Sequence, residues 1–344
     1  VRALLVNLAR AALSLGLLAW LVHDVRSGDP ETFRDLLAEP KRWHLLVAAW
    51  LCFLLALGAG LARWQRLARA VGLACSAPQT LRIGVLAYTL DFAALGAAGG
   101  DLFKALSLRR LHPGRGVHAL TTVVADRLVG LGSLLLFAGG AAWMLGATTL
   151  PGTLPALARL VFAASAAGIL TVALLLALRR RSQELVDRAR VLPLVGSHLA
   201  NLLDAVALYA SNPRTVIQAV LLSIAVHSLN IIGFALLAAG LSATPPDLAQ
   251  HFLIVPLASL SGVVPLPADT LGVLDYAMSY LYEHVTAGAT PASLGLLVVM
   301  TYRVVGVALT SIGLALYWSS PGSVRDLARS AAHGDDEAAR GHGN

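Results

Sequence analysis

Eight long apolar runs, separated by short charged connections, constrain this chain more than any other feature. The first extends from about Leu4 to Val22, and the others lie at about 44–62, 80–98, 117–145, 156–178, 216–241, 251–287 and 291–318. A helix needs roughly 20 apolar residues to cross a hydrocarbon core ~30 Å thick. Apolar residues make up 57% of the 344 and charged residues 13%, against about 25% charged in an average soluble domain. Too little polar surface remains to cover a water-soluble globule of this size. The expected fold class is an all-α polytopic membrane protein, and the soluble-enzyme classes are excluded.

Charge then gives direction. Net charge is +7, and Lys41 and Lys104 are the only lysines among 26 basic residues. In a membrane protein such an excess reports topology, so no nucleic-acid partner is expected. Residues 63–82 carry Arg63, Arg66, Arg69 and Arg82 without an acid, 101–116 carry Lys104, Arg109, Arg110 and Arg115 against Asp101, and 179–215 carry six arginines. Residues 24–43 are mixed, 146–158 are uncharged and 242–250 hold only Asp247. The positive-inside rule places the first three connections in the cytoplasm and the last three outside. The Ala11–Val22 stretch resembles a signal-peptide core, but His23-Asp24-Val25-Arg26 offers no small-residue cleavage site, so the segment reads as a retained anchor.

This assignment breaks parity at two places. Residues 63–82 and 101–116 share a side although the run 80–98 separates them, and that run is short before Gly96-Ala97-Ala98-Gly99-Gly100. A re-entrant hairpin turning at the glycines resolves the conflict; an ordinary tilted span at 80–98 is the competing reading. In the second half, 251–264 is too short to cross and is followed by Pro265, Pro267 and Gly272 before a second leg to about Ala287. About six full spans and two oppositely oriented re-entrant hairpins then satisfy every loop, with both termini cytoplasmic. Interrupted segments in corresponding positions of two halves mark inverted-repeat transporters. Irregular backbone at membrane depth survives only when buried or lining a wet cavity, so both turns are expected to line a central site. Residues 1–320 read as one transmembrane domain, with a polar tail at 321–344 expected to be disordered and cytoplasmic. The Ala/Leu/Arg bias suits a bacterial inner membrane. Pro30–Glu39 reads as a short amphipathic helix with proline in its first turn, and 182–210 contains further amphipathic helical stretches.

Ionisable residues away from span ends are functional candidates by default. Arg303 lies near the middle of 291–318, where insertion costs about 2.5–3.5 kcal/mol. It faces a phosphate or carboxylate ligand, or forms a structural ion pair with Asp275 or Asp269. Asp101 follows Gly99 and Gly100, with Lys104 one helical turn on; the glycine turn offers amides to an anion, or Asp101 simply caps the helix. Asp126 and Arg127 precede an apolar stretch that alone could span, which allows them an interfacial position. Being adjacent, they point to different partners. Asp91 lies inside the first leg of the first hairpin, and Asp275 and Glu283 on the second leg of the other. His227, with Ser223, Ser228 and Asn230, suits interhelical hydrogen bonds better than a proton relay. Cys52 and Cys75 read as unrelated small side chains. The ten histidines lack metal-ligand spacing, and P-loop, G-x-S-x-G and H-E-x-x-H motifs are missing, so neither metal nor cofactor is expected.

At these residues the chain resembles the flippase-like transmembrane family named after the lysylphosphatidylglycerol synthetase membrane region. The resemblance runs from about Arg63 to Tyr317. It rests on Gly99-Gly100-Asp101 with Lys104, on Asp126-Arg127 with Gly130, on Pro265, Pro267, Gly272 and Asp275, and on Arg303. The family pattern has arginine where Lys104 stands, glycines where Ala268 and Asp269 stand, and glutamate where Asp275 stands. The resemblance implies a protein that holds or moves a polar-headed lipid between leaflets. Family members that transfer aminoacyl groups append a soluble catalytic domain; this sequence ends about 25 residues after its last span, so it is expected not to be an enzyme.

Flippase-like translocation would set Arg303, Arg127 and Lys104 against a phosphate. Asp101, Asp269 and Asp275, near the Gly99-Gly100 turn and its counterpart, would anchor those cations or contact a cationic headgroup. The alternatives are an intramembrane enzyme using Asp101, Asp126 and Asp275 on a lipid-linked phosphate or sugar, or a partner subunit of a lipid-modifying system docking through the basic 179–215 loop.

Overall fold

The computed structural model describes residues 23, 30–93, 98–149, 152–178, 209, 211–261 and 272–319. Among these are ten α-helices: α1 (Pro30–Ala38), α2 (Trp43–Ala70), α3 (Ala77–Ala93), α4 (Ala98–Leu111), α5 (Gly116–Met144), α6 (Leu154–Leu178), α7 (Pro213–Leu241), α8 (Leu248–Ser261), α9 (Val273–Val285) and α10 (Ala292–Trp318). Four of them, α2, α5, α7 and α10, are long and apolar enough to cross a membrane. Each turns an apolar stripe outward at helical spacing. On α2 it is Trp43, Val47, Leu51 and Leu55, and on α5 it is Val117, Leu120, Val124 and Leu128. In water such stripes would form association-prone patches; in lipid they are the solvent-facing surface. The chain is a helical, apolar membrane protein.

The predicted short helix at 30–39 is α1, with Pro30 as its first residue. The sequence boundaries need one correction of consequence. Hydropathy ends the second run near 62, but α2 continues to Ala70. The stretch from Arg63 to Val71 contains neither glycine nor proline and is rich in Ala, Leu, Arg and Gln, all good helix formers. Arg63 is therefore a helix residue, not a loop residue. The first apolar run, 182–208 and the tail lie outside the described residues.

The chain divides into two compact units, which share the long helices between them. The first comprises Val1–Leu57, Ser133–Ser165 and Ala225–Leu309; the second comprises Gly58–Gly132, Ala166–Ile224 and Thr310–Asn344. Each holds one pair of short helices.

In the second unit the pair is α3 and α4, which pack on each other. The two helices run antiparallel, because bonds join them at both ends. Asp91 accepts the Gly100 amide at 2.8 Å, and His112, just past α4, donates to the Ala74 carbonyl, just before α3, at 3.0 Å. Their lengths of 17 and 14 residues give ~25 and ~21 Å at 1.5 Å per residue, short of the ~30 Å core. The hairpin's open end lies where α2 stops and α5 starts, since Arg115 donates to the Gly72 and Val71 carbonyls at 2.9 and 3.3 Å. Close backbone approach fixes the hairpin against its neighbours. A Cβ on Gly84 would fall 2.1 Å from a Leu61 methyl, and one on Gly313 1.7 Å from Thr89 Oγ1.

In the first unit α8 packs on α9. His251 of α8 and Tyr282 of α9, both fully buried, share a 2.9 Å hydrogen bond. With Nδ1 donating to the Asp247 carbonyl at 2.8 Å, Nε2 accepts from the tyrosine hydroxyl. The connection into α2 docks on the end of α7: the Arg42 amide donates to the Gly240 carbonyl at 3.0 Å and Ala243 donates to Glu39 at 2.9 Å. The connection before α6 meets α9 through Thr153 and the Tyr280 hydroxyl, 2.7 Å apart. Phe53, Phe234 and Tyr302 form the aromatic centre of the core, with ring centroids 4.8 to 5.4 Å apart.

Candidate functional site

The hairpin turn of the second unit gathers five of the singled-out residues. α4 begins at Ala98, so Asp101 lies inside its first turn and is not the cap. Asp91 supplies the carboxylate for the helix start instead, through the Gly100 amide. Gly100 is required here: a Cβ would stand 2.3 Å from the Ala87 carbonyl oxygen and 2.6 Å from the Asp91 carboxylate. Asp101 is thereby free to face outward from the helix. Its Oδ2 accepts from Arg127 Nε at 2.5 Å, and its Oδ1 lies 3.6 Å from Lys104 Nζ. Arg127 also reaches to 3.8 Å from Asp91. Lys104 Nζ sits 5.8 Å from the centre of the buried Trp64 ring, a cation–π distance. Two carboxylates and two cations thus balance. The Arg127 side chain is nevertheless 54% exposed.

Asp126 and Arg127 do part company. Asp126, 7% exposed, accepts from Arg63 Nε of α2 at 2.7 Å. Arg63 Nη1 donates to Ser223 of α7 at 2.8 Å, the kind of interhelical bond expected of that polar stretch. Asp126 lies within a helix that starts ten residues earlier. Arg63 and Ser223 were not legible as neighbours of the candidate site. The available signal was the uninterrupted helix-forming sequence that carries α2 past its apolar run.

In the first unit Arg303 of α10 grips Asp275 of α9 with two hydrogen bonds, Nε to Oδ1 at 3.2 Å and Nη2 to Oδ2. Asp275 is fully buried and its Oδ2 also accepts the Gly272 amide at 2.7 Å, closing the start of α9. Gly272 has φ +91°, a left-handed conformation natural to glycine. α10 lies tight against α9: a Cβ on Gly295 would come within 2.8 Å of the Met278 carbonyl oxygen. Of the two readings of Arg303, the structure contains the ion pair with Asp275. Asp269, with Pro265 and Pro267, lies outside the described residues. Cys52 and Cys75 are free thiols. Among the described residues no three His, Cys, Asp or Glu side chains are grouped to hold a metal ion.

Apolar helices with outward lipid-type faces and arginine–aspartate pairs held by short helical hairpins define a polytopic membrane protein. The profile of the lysylphosphatidylglycerol synthase TM region matches residues 7–313, and the chain belongs to that family. Among curated proteins, none matches the chain.

Proposed function

We propose that the protein binds the headgroup of a polar lipid and moves it between the leaflets of a bacterial inner membrane. The observation that carries this reading is Arg127: a guanidinium on a membrane-length helix, tied to Asp101 yet more than half exposed. Its planar fork suits a phosphate. Lys104 adds a second cation, and Asp101 and Asp91 hold both in place until a ligand exchanges with them. Arg303 and Asp275 anchor the other hairpin. The α3–α4 hairpin is re-entrant from the cytoplasm, which its short legs and joined ends support, and its base carries the arginines that the positive-inside rule assigns to that side. The α8–α9 hairpin enters from outside. With the first apolar run, α2, α5, α6, α7 and α10 make six crossings, leaving both termini cytoplasmic. The protein acts as a carrier rather than a lipid synthase: Asp101, Asp126 and Asp275 are each engaged by an arginine. Its partners are membrane lipids and, through the basic loop, a membrane or cytoplasmic protein.

The test is lipid movement in proteoliposomes containing fluorescent anionic or zwitterionic phospholipid, followed by quenching from outside. The expected result is protein-dependent exposure of inner-leaflet label, slowed at least about tenfold by Arg127→Ala, the loss of one charge-assisted contact of ~1.5–3 kcal/mol. Exposure at the rate of protein-free vesicles for every lipid would overturn the reading.

A further inference from the structure

We infer that Arg63 is a positioning residue: by holding Asp126 it sets the rotation of α5 that delivers Arg127 to the hairpin. The inference rests on the proposed role of Arg127, but its geometry stands independently. Successive residues on an α-helix point about 100° apart. Asp126 and Arg127 therefore point from α5 in two directions, one toward α2 and one toward the α3–α4 hairpin.

The two contacts are unlike. Arg127 is half exposed, whereas Arg63 and Asp126 are 8% and 7% exposed. Arg63 spends its Nε on Asp126 and its Nη1 on Ser223, which is fully buried and donates in turn to the Ala219 carbonyl at 2.9 Å. One guanidinium thus joins α2, α5 and α7. Gly130, one turn after Asp126 on α5, makes room for it: a Cβ there would lie 3.3 Å from both Nη1 and Nη2. The buried contact is the fixed one, and the exposed contact is the one a ligand can exchange. If α5 turned about its axis, Arg127 would leave Asp101 even with its own charge intact.

The experiment measures this rotation directly, without lipid transport. Spin labels are placed at Leu81→Cys on α3 and Val124→Cys on α5, both exposed positions, with Cys52 and Cys75 replaced by serine. The full chain is held in nanodiscs, and the label separation is read by pulsed electron resonance. The parent and Arg127→Ala should give the same narrow distance distribution. Arg63→Ala and Gly130→Val should shift or broaden it, and Arg63→Lys, which keeps the charge, should restore most of it. Transport should fall about tenfold in Arg63→Ala and recover in Arg63→Lys. A distribution unchanged by Arg63→Ala, or changed equally by Arg127→Ala, would overturn the inference. Distances that follow this pattern in a protein that moves no lipid would uphold the positioning role and overturn the transport reading alone.

Discussion

Asp275 accepts three hydrogen bonds inside the protein, two from Arg303 and one from the Gly272 amide. Deleting one partner of a buried pair leaves the other charge uncompensated, at a cost of about 3–5 kcal/mol. Arg303→Ala should therefore lower the thermal unfolding midpoint in detergent markedly. The neutral pair Arg303→Gln with Asp275→Asn should lower it less than Arg303→Ala alone, because no buried charge is stranded. Equal midpoints for Arg303→Ala and the parent would refute a structural role for the pair. At this scale the sequence was informative where covalent neighbours decide. The divergence of Asp126 from Arg127 follows from helical geometry alone, and Asp275 was one of two carboxylates named for Arg303. It was uninformative where partners come from distant helices. Arg63 meets Asp126 across 63 residues and Ser223 across 160, and nothing in local spacing announces such contacts.

The α3–α4 hairpin depends on glycine where its legs touch. Gly100→Ala would drive a methyl group into the Ala87 carbonyl and the Asp91 carboxylate. Overpacking of this kind costs about 1–3 kcal/mol, and here it also dislodges the carboxylate that holds the start of α4. The expected outcome is a lower unfolding midpoint together with weaker lipid movement. Gly132→Ala is the control, since a Cβ there meets nothing within 4 Å and alanine favours the helix by up to ~1 kcal/mol; its midpoint should match or exceed that of the parent. A break between two short helices was legible because a short apolar run ends in a glycine-rich stretch. The roles of its acids were not, since a glycine-rich run leaves the helix start ambiguous by several residues. Placing that start at Ala98 passes the capping duty from Asp101 to Asp91.

The chain as a whole belongs to a family defined by its membrane region, and its apolar runs predicted the long helices to within a few residues at most boundaries. The exception was the C-terminal end of α2, where hydropathy falls before the helix does. The proposed topology predicts that cysteines replacing Ser76 and Gly114, on either side of the hairpin, react with an impermeant maleimide only from the cytoplasmic side, and that one replacing Thr244 reacts only from outside. Reaction from outside of a cysteine replacing Gly99, at the opposite end of the hairpin, would mean that α3 and α4 cross. The claim beneath the functional account is that Arg127 holds a lipid headgroup, and native mass spectrometry of the gently solubilised protein tests it most directly. A phospholipid should remain bound to the parent and to a variant lacking the exposed Arg214, and should be lost on Arg127→Ala. Equal retention by all three proteins, or no retained lipid in the parent, would contradict the account.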